Sequence, residues 1–100
     1  MARLELAAAV DAHLDRLFDF LAGENLAAAL AVKDVIFDAL EVLKRHPLIG
    51  RPVEEDMHEL VISRGKHGYV ALYQYFEAED VVLVLALRHQ REAGFPGTHE

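Results

Sequence analysis

The spacing of apolar residues changes along the chain, and each change marks a new element. Arg3, Leu4, Glu5 and Leu6 alternate polar with apolar, which predicts a short half-buried strand. The period then lengthens. Val10, Leu14, Leu17, Phe18 and Leu21 recur at helical intervals, with Asp11, Asp15, Arg16 and Asp19 between them. "GEN" at 23–25 stops this helix, and Asn25 is suited to cap the next one. The second helix is expected from about Leu26 to about Arg45. Leu30, Phe37, Leu40 and Leu43 mark its apolar stripe, widened by Val35 and Ile36. Lys44, Arg45 and His46 close it where cations suit the helix dipole, and Pro47 forbids continuation. Two helices joined by so short a break pack as an antiparallel hairpin.

"HPLIGRPVEED" is a loop, with two prolines and a glycine close together. Beyond it the pattern is that of strands. "HELVIS" forms one strand, and "RGKHG" reads as a hairpin turn with glycines at positive φ. "YVALYQYFEAE" is a longer strand rich in aromatic and branched residues, and "EAED" makes a tight turn. "VVLVLAL", residues 81–87, has no polar alternation, so it belongs in the middle of a sheet or is covered on both faces. The order is strand, helix, helix, then three strands in a meander. This predicts a two-layer α+β domain, with the hairpin on a mostly antiparallel four-stranded sheet. The first strand is expected at an edge or beside the last strand.

The 100 residues suit one domain, and their 53% hydrophobic content suits a folded globule. The absence of cysteine excludes disulfides, thiolate metal sites and cysteine nucleophiles, and it fits a reducing cytoplasm. No apolar run approaches the roughly 18 residues of a membrane span, and "MARLELAAAVDAHLD" turns acidic too soon for a secretory signal. The net charge of −7 is uneven. Residues 1–43 carry three basic and eight acidic side chains, whereas residues 44–91 carry seven of each. The positive charge gathers at Lys44-Arg45, at Arg64 and Lys66, and at Arg88 and Arg91. An acidic chain is a poor general binder of nucleic acid, although a local basic patch is still available.

Few of the polar clusters carry a chemical pattern. Six histidines are many for this length, but no pair shows the helical H-x-x-x-H spacing of a zinc site, and we expect neither metal nor cofactor. Glu54-Glu55-Asp56 reads as a solvated acidic run. "RGKHG" lacks the phosphate-loop pattern and leads into no helix. Arg88, His89 and Arg91 close the most apolar strand, where alternation sends Arg88 and Gln90 to one face and His89 and Arg91 to the other.

The element order, together with "LKRHPLIGRPV", "HELVI", "GYVALYQY" and "VVLVLALRHQREAGF", resembles the RelE/ParE superfamily of toxins in type II toxin–antitoxin modules. The resemblance spans about residues 3–95, and "VLALRHQREAGF" is similar to the ParE-like, or plasmid-stabilisation, branch. It implies a cytoplasmic growth inhibitor neutralised by a cognate antitoxin. RelE-like members cleave messenger RNA on the ribosome, and ParE-like members inhibit DNA gyrase. The ribonucleases present several cations on the sheet face, to stabilise charge on the phosphate. Here Leu60, Val61, Ile62 and Val70 stand where such residues would be expected. The resemblance therefore favours a gyrase inhibitor without catalytic residues. The alternatives are a ribosome-dependent ribonuclease and a non-toxic antitoxin-binding module. It marks Arg88, His89 and Arg91, with Arg64 and Lys66, as candidates for contact with target or antitoxin.

Overall fold

A computed structural model describes residues 1–64, 67–92 and 95, with the backbone alone at residues 63, 64 and 67. Strand β1 spans Arg3–Leu6 and leads into helix α1, Ala9–Ala22. Helix α2 spans Leu26–Arg45, the range its stop signals predict. Asn25 Oδ1 accepts the Ala28 N–H at 3.1 Å, so the expected cap is in place. Strand β2, Arg51–Pro52, precedes a tight turn over Glu54–Asp56 in which Glu55 and Asp56 adopt positive φ. Strands β3 (Met57–Arg64), β4 (His67–Phe76) and β5 (Val81–His89) form the meander.

The sheet order is β1-β5-β4-β3-β2. β1 pairs parallel with β5, starting at Arg3 opposite Val81, and the other pairs are antiparallel. The first strand thus lies both at an edge and beside the last strand. The sheet has five strands where four were expected. The added one is β2, which pairs Arg51 with Glu59 and Pro52 with His58. Arg51 Nη2 meets Glu59 Oε1 at 2.5 Å, and Gly50 anchors the loop by donating its N–H to Tyr73 Oη at 2.9 Å. Pro52 has no N–H to extend the ladder, which keeps this strand short.

Both helices pack on one face of the sheet. α1 contributes Val10, Leu14, Leu17 and Leu21, and α2 contributes Ala29, Val32, Ile36, Leu40 and Leu43. The sheet answers with Ile62, Tyr69, Ala71, Tyr73, Val82, Val84 and Leu87. Two expected core residues lie elsewhere: Leu30 is 69% exposed and Phe18 37%. Their neighbours Ala29 and Leu17 point into the layer instead, because the buried stripe of each helix lies one position away.

"RGKHG" joins a hairpin as expected, with Arg64 paired to His67, but its second glycine belongs to the strand. β3 continues to Arg64, and β4 begins at His67. Gly68 is inside β4, paired with Ser63, and a Cβ there would collide with the Gln90 side chain. Its lack of a side chain serves a close approach within the sheet. Gly65 and Lys66 lie outside the described residues.

Candidate binding rim at the end of β5

Every cation described at the end of β5 is held by a local acceptor. Arg88 Nη1 lies 3.1 Å from the Glu92 carbonyl oxygen, 3.3 Å from that of His89 and 3.4 Å from that of Gln90. Its guanidinium also sits 5.0 Å from the centre of the Phe95 ring. Arg91 Nη2 pairs with Glu24 Oε1 at 2.9 Å, which ties the strand end to the α1–α2 turn. Arg91 also lies over Phe20, 5.4 Å from the ring centre.

His89 faces the helix layer and is 1% exposed. Phe20 tilts against it at 5.2 Å, and Tyr69 meets it edge-on at 5.7 Å. His89 Nδ1 accepts the Arg91 N–H at 3.1 Å, so the neutral ring carries its proton on Nε2. Alternation separates Arg88 from His89 as expected. The Arg64 side chain and Lys66 lie outside the described residues.

Three residues at this rim escaped the sequence reading. Glu92 forms an ion pair with Arg16 of α1, and its Oε1 accepts the His89 N–H at 2.8 Å. Arg16 Nη2 donates to the Leu87 carbonyl at 3.0 Å. His13, 8% exposed, accepts the Leu87 N–H on Nδ1 at 3.2 Å. Burial holds the His13 pKa below its ordinary value; Arg16 pushes the same way, and Glu92 opposes. The available signal was a histidine and an arginine three apart beside the apolar stripe of α1, followed far along the chain by a lone carboxylate after the last strand.

The sheet face away from the helices has a different character. Val61 and Phe76 are 46% and 38% exposed there, and Val70 and Leu72 lie between them on β4. Val70 is only 2% exposed, and its partner across the sheet is Arg88. Among the described residues no group of His, Asp or Glu side chains could hold a metal ion, and no helix is long and apolar enough to cross a membrane. The rim and the open face therefore offer contact surface and some shielded charge, and among the described residues no set of unpaired cations converges on one point.

The comparisons with known proteins agree with this architecture. The family described as the ParE toxin of the type II toxin–antitoxin system parDE matches residues 4–94. Toxin RelE3 of Caulobacter vibrioides is 33% identical over 92 residues, which is 92% of this chain and 98% of that protein. Among solved structures, the chromosomal ParDE toxin–antitoxin system from P. aeruginosa superposes with a TM-score of 0.69. That match is 20% identical and covers 85% of this chain and 91% of the other, so it speaks for the fold. Helical hairpin, meander, parallel first strand and nearly full-length family match lead to one conclusion: the chain belongs to the ParE toxin family of type II toxin–antitoxin systems, within the RelE/ParE superfamily.

Proposed function

We propose that this toxin works by docking on a protein target, DNA gyrase, and that its cognate antitoxin silences it in the cytoplasm by covering the open sheet face. One observation carries the choice against RNA cleavage. On the side of the sheet away from the helices, Val61 is exposed above the buried Val70 and Leu72, and the described arginines of the rim are bound to carbonyls or carboxylates. Cleavage by a 2′-hydroxyl needs cations poised at the phosphate as charge develops, and a cation already paired is poorly placed for that work. A net charge of −7 also opposes docking against ribosomal RNA.

The same face suits a polypeptide. β2 pairs with Glu59 and His58 of β3, and among the described residues no strand lies beside the outer edge of β3 from Leu60 onward. An exposed edge beside an apolar face accepts an added strand, with backbone bonds for affinity and side-chain pockets for selectivity. We assign Arg88 and Arg91 at the end of β5 to target or antitoxin contact, with Arg64 and Lys66 as further candidates from the sequence.

Purified toxin should inhibit supercoiling by gyrase, and addition of the antitoxin should restore it. The name of the relative RelE3 keeps the ribonuclease reading as the alternative. Cuts in translated messages at the ribosomal A site, with gyrase untouched, would select that alternative.

A further inference from the structure

We propose that His13 and Arg16 form an acid-sensitive latch between α1 and β5, closed while the His13 ring is neutral and released when it takes a proton. The latch has a structural cause. β1 ends at Leu6, and its side of the sheet last reaches β5 when the Ala7 N–H donates to the Val84 carbonyl at 2.8 Å. Past that point, no strand among the described residues lies on the β1 side of β5. It also carries an irregularity here: Leu72 pairs with Ala86 and Tyr73 with Val84, so Leu85 is an extra residue without a β4 partner. Leu87 would then keep a buried N–H and a buried carbonyl with no ladder to join, an arrangement that proteins avoid.

Two side chains one helical turn apart replace the missing strand. His13 Nδ1 accepts the Leu87 N–H, and Arg16 Nη2 donates to the Leu87 carbonyl. The first bond exists only when Nδ1 carries no proton. Protonation sets two N–H donors against each other in a site that is 8% exposed, and it adds a second positive charge beside Arg16.

The latch continues into the rim. Arg16 pairs with Glu92, and Glu92 accepts the His89 N–H. Opening at His13 therefore loosens the turn that holds Arg88 and Arg91. The charges acting on His13 are Arg16 from its own helix and Glu92 from beyond β5. Among the described residues, the other titratable groups buried at this end of the sheet are His89 on β5 and Tyr69 on β4. The buried residues of α2 are the uncharged Ala29, Val32, Ile36, Leu40 and Leu43.

The test is amide exchange of Leu87 in the full chain between about pH 8 and about pH 5, the range in which histidine changes charge. Rates are expressed as protection factors, so that the intrinsic pH dependence of exchange cancels. The wild-type Leu87 factor should fall by up to about tenfold per pH unit below the His13 pKa, while amides of the β4 centre such as Ala71 hold theirs. His13→Asn retains an acceptor that does not titrate, and its Leu87 factor should stay level. A wild-type factor that stays constant while His13 titrates overturns the latch. So does a loss shared equally by Leu87 and Ala71, because that reports unfolding. Ring nitrogen shifts of the wild-type protein give a second reading that needs no variant. The Nε2–H tautomer with a pKa below 6.5 supports the latch, and the Nδ1–H tautomer contradicts it.

Discussion

Gly50 and Tyr73 hold each other in place. The Gly50 N–H donates to the Tyr73 hydroxyl at 2.9 Å, and a Cβ on Gly50 would stand 2.6 Å from that oxygen and 2.8 Å from the Glu59 carbonyl oxygen. The glycine of the "GRP" loop is therefore a contact residue. It lets the loop lie flat on a buried aromatic ring and delivers Arg51 and Pro52 to the sheet edge. Gly50→Ala should destabilise the fold by about 1–3 kcal/mol, the usual range for forcing an extra carbon into a packed site. Tyr73→Phe leaves the Gly50 N–H buried without an acceptor and should cost about 1–3 kcal/mol. Urea unfolding of both variants checks this. Midpoints equal to wild type would show that the loop does not depend on the contact.

The Arg16–Glu92 pair joins residues 76 positions apart, and its side chains are 31% and 27% exposed. Partial exposure screens the charges, but Arg16 also carries the Leu87 carbonyl and Glu92 the His89 N–H. Arg16→Met should therefore cost about 1–2 kcal/mol, more than a surface pair and less than a fully buried one. Glu92→Gln keeps an acceptor for the His89 N–H and should cost less. A double-mutant cycle between these two substitutions reads the coupling directly, and a coupling near zero would mean that each acts through other neighbours.

Stability should depend on pH through His13. Its pKa is lowered in the folded protein, so the unfolded chain takes up the proton first as pH falls. The contribution is fully present above the unfolded value of about 6.5 and is lost as pH drops from there toward the folded value. The urea midpoint should decline across that window, and His13→Asn should flatten the part of the decline that His13 causes. An equal slope in the variant would assign the decline to other groups.

On the open face, Val61→Lys should leave stability within about 0.5 kcal/mol, because the residue is 46% exposed and outside the helix-covered core. The same change should weaken antitoxin binding by about tenfold or more if that face is the docking surface, since it puts a charge into an apolar contact. Calorimetry of wild-type and variant toxin with the antitoxin distinguishes the two effects. Unchanged affinity would move the docking surface elsewhere.

Much of this architecture is legible in the sequence, for local reasons. Asn25 and Pro47 bracket α2 because a cap and a forbidden N–H act within one turn. The uncharged run from Val81 to Leu87 marked β5 as an interior strand, and it lies between β1 and β4. What was missed depends on distant partners. Leu30 and Phe18 sit beside the buried stripes, and only the packing of the two layers decides which neighbour points inward. The two residues of β2 are too few to show a period. The rim was visible as a knot of cations, but its holders, Glu24, Arg16 and Glu92, are brought in by the fold, and His13 matters because β1 stops short of Leu87.

Arg88→Ala gives a separate test of the rim. The substitution removes contacts with three carbonyls in the following turn and with Phe95, while the core beneath is unchanged. Toxicity in cells lacking the antitoxin should fall, while far-UV circular dichroism stays that of wild type. A variant that loses its fold would make Arg88 a structural residue, and one with full toxicity would remove it from the rim.

The most direct measurement is a side-by-side assay of the purified toxin, with gyrase supercoiling in one arm and primer extension on translated messages in the other, each repeated with antitoxin. Supercoiling should be inhibited, the antitoxin should reverse the inhibition, and the messages should remain intact. Intact supercoiling together with A-site cuts would contradict the gyrase reading and place this chain with the ribosome-dependent ribonucleases.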